Sequence, residues 1–233
     1  MRQVECKIWD DVLSVAACQT LVFNMLTGAE WAEQERKDPE QGIGHNRDLY
    51  TVWSEKTNFL KISADKNYFN SSYFLWLDIG AVRQQVGRGL ASEASCRIFF
   101  LQSFNHKRLV NRIPSDSGIL LLSMERFTED EKRLDHGKSL ADFSKTVRLG
   151  GGTIGCDRTS LEAWYKAYYA TMRSYLERDL FAGKDQNMMA TTCLETDLCL
   201  LINANDDNWF KLQDWFIGNL PNENYQRLQL KIK

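Results

Sequence analysis

The chain has 233 residues, 43% of them hydrophobic and 12% aromatic, enough to bury one sizeable core and too little for two comfortable domains. With 29 basic against 31 acidic residues the formal charge is −2, so no global field recruits a polyanion and nucleic acid is not expected as the main partner. Six cysteines lie scattered without a CxxC pair, far in sequence from His45, His106 and His136, which indicates neither a zinc site nor a dense disulfide framework. The three histidines have no motif around them and read as surface or structural residues.

In chain order, the opening "MRQVECKIWDD" carries charges throughout, and no later window approaches a run of uncharged apolar residues long enough to span a bilayer. Neither a signal peptide nor a membrane span is expected, and the default is a soluble protein of a reducing, cytoplasmic compartment. Residues 10–27 place Val12, Val15, Ala16, Leu21, Val22, Met25 and Leu26 at helical spacing, with Gly28 just past the end. The charged stretch "AEWAEQERKDPEQGIGHN" then reads as a surface connection. From about Asp48, Leu49, Val52, Trp53, Lys56, Phe59 and Leu60 predict a second amphipathic helix.

Tyr73 to Leu77 forms an apolar run ending at Asp78, the pattern of a strand buried on both faces. "SCRIFFLQS" and "SGILLLSME" predict two more strands, centred on Ile98–Leu101 and Ile119–Leu122. The charged run "RFTEDEKRLDHGKS" reads as a solvated helix or loop. After the glycine-rich "RLGGGTIGC", Thr159, Ser160 and Glu162 resemble a capping box, and Leu161, Trp164, Tyr168, Met172, Tyr175 and Leu176 mark a buried helical stripe. A further helix begins at Asp185, followed by a short strand "LCLLIN" and an aromatic carboxy-terminal part with Trp209, Trp215 and Phe216. Strands alternating with helices predict a single α/β domain with a mainly parallel central sheet.

Ligands of open α/β sheets gather at the carboxyl ends of strands, which singles out Asp78. Gly80 there allows close approach, and Arg83 is placed to reach an anion. A carboxylate in that position binds a hard divalent cation, or caps the following turn through its own backbone. The glycines of "RLGGGTIGC" fit neither a Walker loop nor GxGxxG. They leave room for a ligand, or mark a bulged strand or tight turn. Asp185 in "GKDQ" is a helix N-cap, or a general base or acceptor-binding carboxylate with Gln186 as its neutral partner, and Lys184 could offset phosphate charge. Lys56 sits on the apolar stripe between Trp53 and Phe59, as a snorkelling stem or a phosphate contact.

The string "LYTVWSEKTNFLKIS", then "NYFNSSYFLWLDIGAVR", "GGTIGC", a Trp/Tyr-rich helix and "GKDQNMMATTC", resembles the HtrL/YibB-like family of glycosyltransferases, over about residues 30–205. The most specific parts are Trp-Leu-Asp-Ile-Gly and Gly-Lys-Asp-Gln in that order and separation. The resemblance implies a GT-A-like fold that uses a nucleoside-diphosphate sugar, a glycan or other hydroxyl acceptor, and Mn2+ or Mg2+ bridging the donor diphosphate. Carried onto this sequence, it makes Asp78 the metal-binding acid, with Trp76 where the usual Asp-x-Asp has its first acid. Arg83 would sit near the diphosphate, Gly151 and Gly152 along the sugar or acceptor site, and Asp185 with Gln186 at the reacting centre; Lys56 and Lys184 join the substrate-binding candidates from their own chemistry.

GT-A enzymes begin with a base-binding strand, whereas this chain passes from a short mixed stretch into the first predicted helix. A truncated amino terminus, which could also have carried a signal or anchor for the secretory pathway, a shortened strand from "VECKIW", or lost donor binding would each account for that. The expected function is metal-dependent glycosyl transfer. The alternative is a non-catalytic glycosyltransferase-fold protein that binds carbohydrate or a partner.

Overall fold

The computed structural model describes residues 25–78, 112–133, 142–204, 208–217 and 225–230. Residues 10–24 of the helix predicted over 10–27, the strand around Ile98, "VECKIW", Gly80, Arg83, His106 and His136 lie outside the described residues.

Helix α1, Gly28–Lys37, stands where a surface connection was expected. Thr27 caps it reciprocally, its hydroxyl accepting from Glu30 N at 3.3 Å while Glu30 Oε2 accepts from Thr27 N at 2.7 Å. Gly28 is therefore the first residue of a helix rather than the residue after one. Its apolar signal is thin, because only Trp31 and Gln34 are buried, and Pro39 follows the Asp38 that ends it. A 3₁₀ turn, Gln41–Ile43, leads to helix α2, Arg47–Lys66, capped by Asn46 on Leu49 N. This is the predicted second helix, yet the face it buries includes Ser54, Glu55, Lys56, Thr57 and Asn58 beside Tyr50, Leu60 and Ala64.

The strands are β1 Tyr73–Leu77, β2 Ile119–Ser123, β3 Leu149–Asp157, β4 Cys199–Asn203 and β5 Gln226–Arg227, forming one sheet in the order β1-β3-β2-β4-β5. Only β2 and β4 run parallel; β3 is antiparallel to both β1 and β2, and β5 to β4. The fold is thus α/β with a mixed open sheet, and the expectation of a mainly parallel one is corrected among the described residues. The cause is the glycine-rich segment. It is itself a nine-residue strand, and it enters between β1 and β2 in the reverse direction. Among the described residues β1 lies at the sheet edge with every residue half-buried, instead of being buried on both faces.

Helix α3, Arg158–Glu177, is capped by Asp157, whose Oδ1 accepts from Ser160 N at 2.9 Å, so its start lies just before the predicted box. Leu161, Trp164, Tyr168, Met172 and Tyr175 are buried as the spacing predicts. Helix α4, Asp185–Glu195, is joined to β4 by a disulfide between Cys193 and Cys199, a pairing that the scattered cysteines did not announce and one at odds with a reducing compartment. Helix α5 spans Lys211–Ile217.

The alternate residues of β2 and β4 explain their unbroken apolar runs. Ile119, Leu121, Cys199 and Leu201 enter the core formed with α2, α3 and α4, while Leu120, Leu122, Leu200 and Ile202 meet Leu212, Trp215 and Phe216 of α5. No described helix is long and apolar enough to cross a membrane.

Candidate functional site

The register between β2 and β3 jumps from Leu121–Ile154 to Leu122–Gly150, so Gly151, Gly152 and Thr153 form a bulge on β3. The bulge lies against the carboxyl end of β1. Asp78 N donates to Gly152 O at 2.8 Å, which fixes the carboxylate just past the last paired residue, Leu77. Trp76, two residues earlier on the same face, donates its Nε1 to Asp78 Oδ1 at 2.7 Å. Position 76, where an acid was the expected partner, therefore holds an orienting hydrogen-bond donor.

Lys56 comes from the middle of α2 and is almost wholly buried, its side chain 4% exposed. Its Nζ lies 3.1 Å from Asp78 Oδ2, 2.9 Å from Asp185 Oδ2 and 2.9 Å from Gly151 O. The ammonium thus donates to Asp78 and Gly151 and is ion-paired with Asp185, so its charge is already matched by two carboxylates. The snorkelling account fails, because the head group is buried and tied to two acids. Burial works to lower the Lys56 pKa, and the charges of Asp185 and Asp78 outweigh it, holding the ammonium above its ordinary range.

Asp185 is the first residue of α4, with Lys184 in the N-cap position making no side-chain cap. Its Oδ1 accepts from Gln186 N at 2.8 Å, and its Oδ2 has the Lys56 ammonium as its contact. A Cβ at position 151 would fall 2.5 Å from that Oδ2, so the missing side chain of Gly151 makes room for the Asp185 carboxylate. The two acids are not equivalent: Asp78 is 35% exposed and Asp185 is 5% exposed. Asp78 faces the solvent side of the cluster, and Asp185 is its buried anchor.

Lys56, Asp78, Gly151, Gly152, Lys184, Asp185 and Gln186 line one cleft of about 250 Å3 together with Trp53, Trp209 and Phe210. Every predicted site residue within the described part of the chain is therefore in it, and only Arg83 lies outside the described residues. The three aromatic walls were not singled out from sequence. Trp53 read as core stripe, and nothing local ties Trp209 and Phe210 to Asp78. Lys184 closes the mouth through an ion pair with Glu40, whose side chain is 44% exposed. A larger cleft of about 620 Å3 lies between Arg126, Lys132, Asn203 and Arg227, but it contains no comparable buried charge cluster.

No family model, curated relative or solved structure matches the chain.

One further group bears on cation binding. Ligand atoms of Asp38, Glu40 and His45 lie within 4.8 Å of one another. Asp38 accepts from Glu40 N, Tyr50 Oη and the His45 ring, each at 2.8 Å, while Glu40 holds Lys184. Burial acts to raise the Asp38 pKa and these bonds outweigh it, leaving it lowered. His45, read from sequence as surface or structural, packs edge-on against Trp53 with ring centroids 5.0 Å apart and so braces one wall of the cleft.

The residues of the cleft do not fit a divalent ion held between Asp78 and Asp185. The facing oxygens of both acids already share the Lys56 ammonium, and no third acid, histidine or cysteine joins them among the described residues.

Proposed function

We propose that the chain is a glycosyltransferase, transferring a sugar from a nucleoside diphosphate to a hydroxyl of a glycan or other acceptor at the Asp78 cleft. The observation that supports this is the convergence of Lys56, Asp78, Gly151, Gly152, Lys184, Asp185 and Gln186, residues far apart in sequence, at the carboxyl end of β1. Aromatic walls and a few placed polar groups suit a sugar, whose apolar ring faces meet Trp53 and Trp209 while its hydroxyls meet a carboxylate and an amide.

The exposures divide the work. Asp78, with lone pairs turned to solvent, accepts the proton of the attacking hydroxyl. The acceptor oxygen bonds to the anomeric carbon, the bond from that carbon to the diphosphate oxygen breaks, and its electron pair leaves with the diphosphate. Lys56, anchored on Asp185, holds the Asp78 carboxylate in place. Lys184 meets the departing anion at the mouth by exchanging the half-exposed Glu40 for a phosphate oxygen.

The test is a thermal-shift and ligand-observed NMR panel of nucleoside diphosphates, nucleotide sugars and neutral oligosaccharides on wild type and Asp78→Asn. Nucleotide-sugar binding by wild type that Asp78→Asn retains, with loss of sugar transfer to an oligosaccharide acceptor in the same samples, is expected. Oligosaccharide binding with no response to any nucleotide would replace transfer by carbohydrate binding alone, a second reading favoured by the pairing of Lys56 with two carboxylates. No response to either class would remove both.

A further inference from the structure

We infer that the Lys56 ammonium is the resident cation of this cleft, occupying the position between Asp78 and Asp185 that a divalent metal ion would otherwise take. An ion bridging Asp78 Oδ2 and Asp185 Oδ2 has to sit where Nζ sits, 3.1 and 2.9 Å from those oxygens. The ammonium cannot swing aside cheaply. It is also bonded to Gly151 O at 2.9 Å, the whole residue is buried, and leaving would strand it unpaired in a buried site. A lysine is the fitting cation because it delivers one charge on a covalent tether and needs no coordination shell.

This assignment constrains the ligand. One ammonium against two carboxylates leaves the cluster with a net negative charge, so the ligand surface against Asp78 has to supply hydrogen-bond donors, as a neutral or amino sugar does. Phosphate is repelled from that spot and belongs toward Lys184. The cation assignment stands on geometry alone, and only its bearing on transfer rests on the function proposed above. Failure of nucleotide binding would leave it intact.

Mn2+ titration followed by thermal unfolding separates the cases, using wild type, Asp78→Asn, Lys56→Met and the double variant. Any shift arising at Asp38, Glu40 and His45 is common to all four and cancels. Wild type and Asp78→Asn are expected to respond alike. Lys56→Met, which keeps an apolar stem and frees both carboxylates, is expected to gain about 5 °C at a hundredfold excess over Kd. The double variant should lose that gain. A wild-type response to Mn2+ that Asp78→Asn abolishes overturns the inference, and so does a folded Lys56→Met with no gain. Should Lys56→Met not fold, the comparison of wild type with Asp78→Asn decides alone.

Discussion

At the scale of single residues, the cleft depends on the absence of one side chain. Gly151 and Gly152 are neighbours on the β3 bulge, yet a methyl group meets very different surroundings at each. At 151 it would lie 2.5 Å from Asp185 Oδ2 and 3.0 Å from Asp185 Cγ, while at 152 the nearest atom is Asp78 Oδ2 at 3.9 Å, ordinary contact. Gly151→Ala must push a buried carboxylate away from the lysine that neutralises it, which combines overpacking with a weakened buried ion pair. A loss of about 2 kcal/mol or more in urea unfolding is expected. Gly152→Ala should stay within about 0.5 kcal/mol of wild type. Equal effects would mean that the bulge, rather than the Asp185 carboxylate, requires glycine. Sequence inspection flagged both positions, but for a ligand; it could not tell that one of the two spaces is filled by the protein's own acid.

At the scale of elements, what was legible depended on how strongly each one advertised its burial. β2 and α3 were readable because their apolar periods are long and clean, as Ile119–Leu122 and Leu161–Trp164–Tyr168–Met172–Tyr175 show. Helix α1 was missed because it buries little more than Trp31, and its one local signal was the Thr27–Glu30 capping pair. The glycines of β3 hid a strand, since glycine is a poor strand former and only pairing on both sides holds it extended. The cap of α3 was displaced by a short step in sequence with a measurable consequence. Asp157 Oδ1 accepts from Ser160 N, while its Oδ2 accepts from Ser160 Oγ and from Gly118 N at 3.0 Å, tying the helix start to the entry of β2. Burial acts to raise the Asp157 pKa, and these bonds outweigh it, so the pKa is lowered. A lowered carboxylate contributes stability that is present above its unfolded value of about 4 and is lost as pH falls through the folded value. Asp157→Ala is expected to cost about 1 kcal/mol at neutral pH, with the difference from wild type shrinking in acid. A cost that persists unchanged in acid would assign the loss to packing instead.

At the scale of the whole molecule, the aromatic content that bounded the chain to one core also sets its behaviour in alkali. Of its eight tyrosines, Tyr50, Tyr73, Tyr165, Tyr168, Tyr169 and Tyr175 all have phenol pKa values raised by burial, with nearby carboxylates adding to it. Those of α2 and α3 pack in or against one core, and Tyr73 of β1 packs against the cluster on the other face of the sheet. The sign is the same for the phenols and the lysine. Above pH of about 10 the unfolded chain releases these protons and the folded chain keeps them, so stability is complete below that pH and declines as pH rises toward the folded values. Because the phenols of α2 and α3 share one core, they cannot ionise singly without opening it. Phenolate absorbance is therefore expected to rise in one steep step together with the loss of far-ultraviolet circular dichroism, steeper than independent phenols titrating near 10. If most of the phenolate signal instead appeared gradually before any loss of helix, the core around α2 and α3 would be open to hydroxide, and the buried lysine at its edge could not be the fixed charge on which the cleft depends.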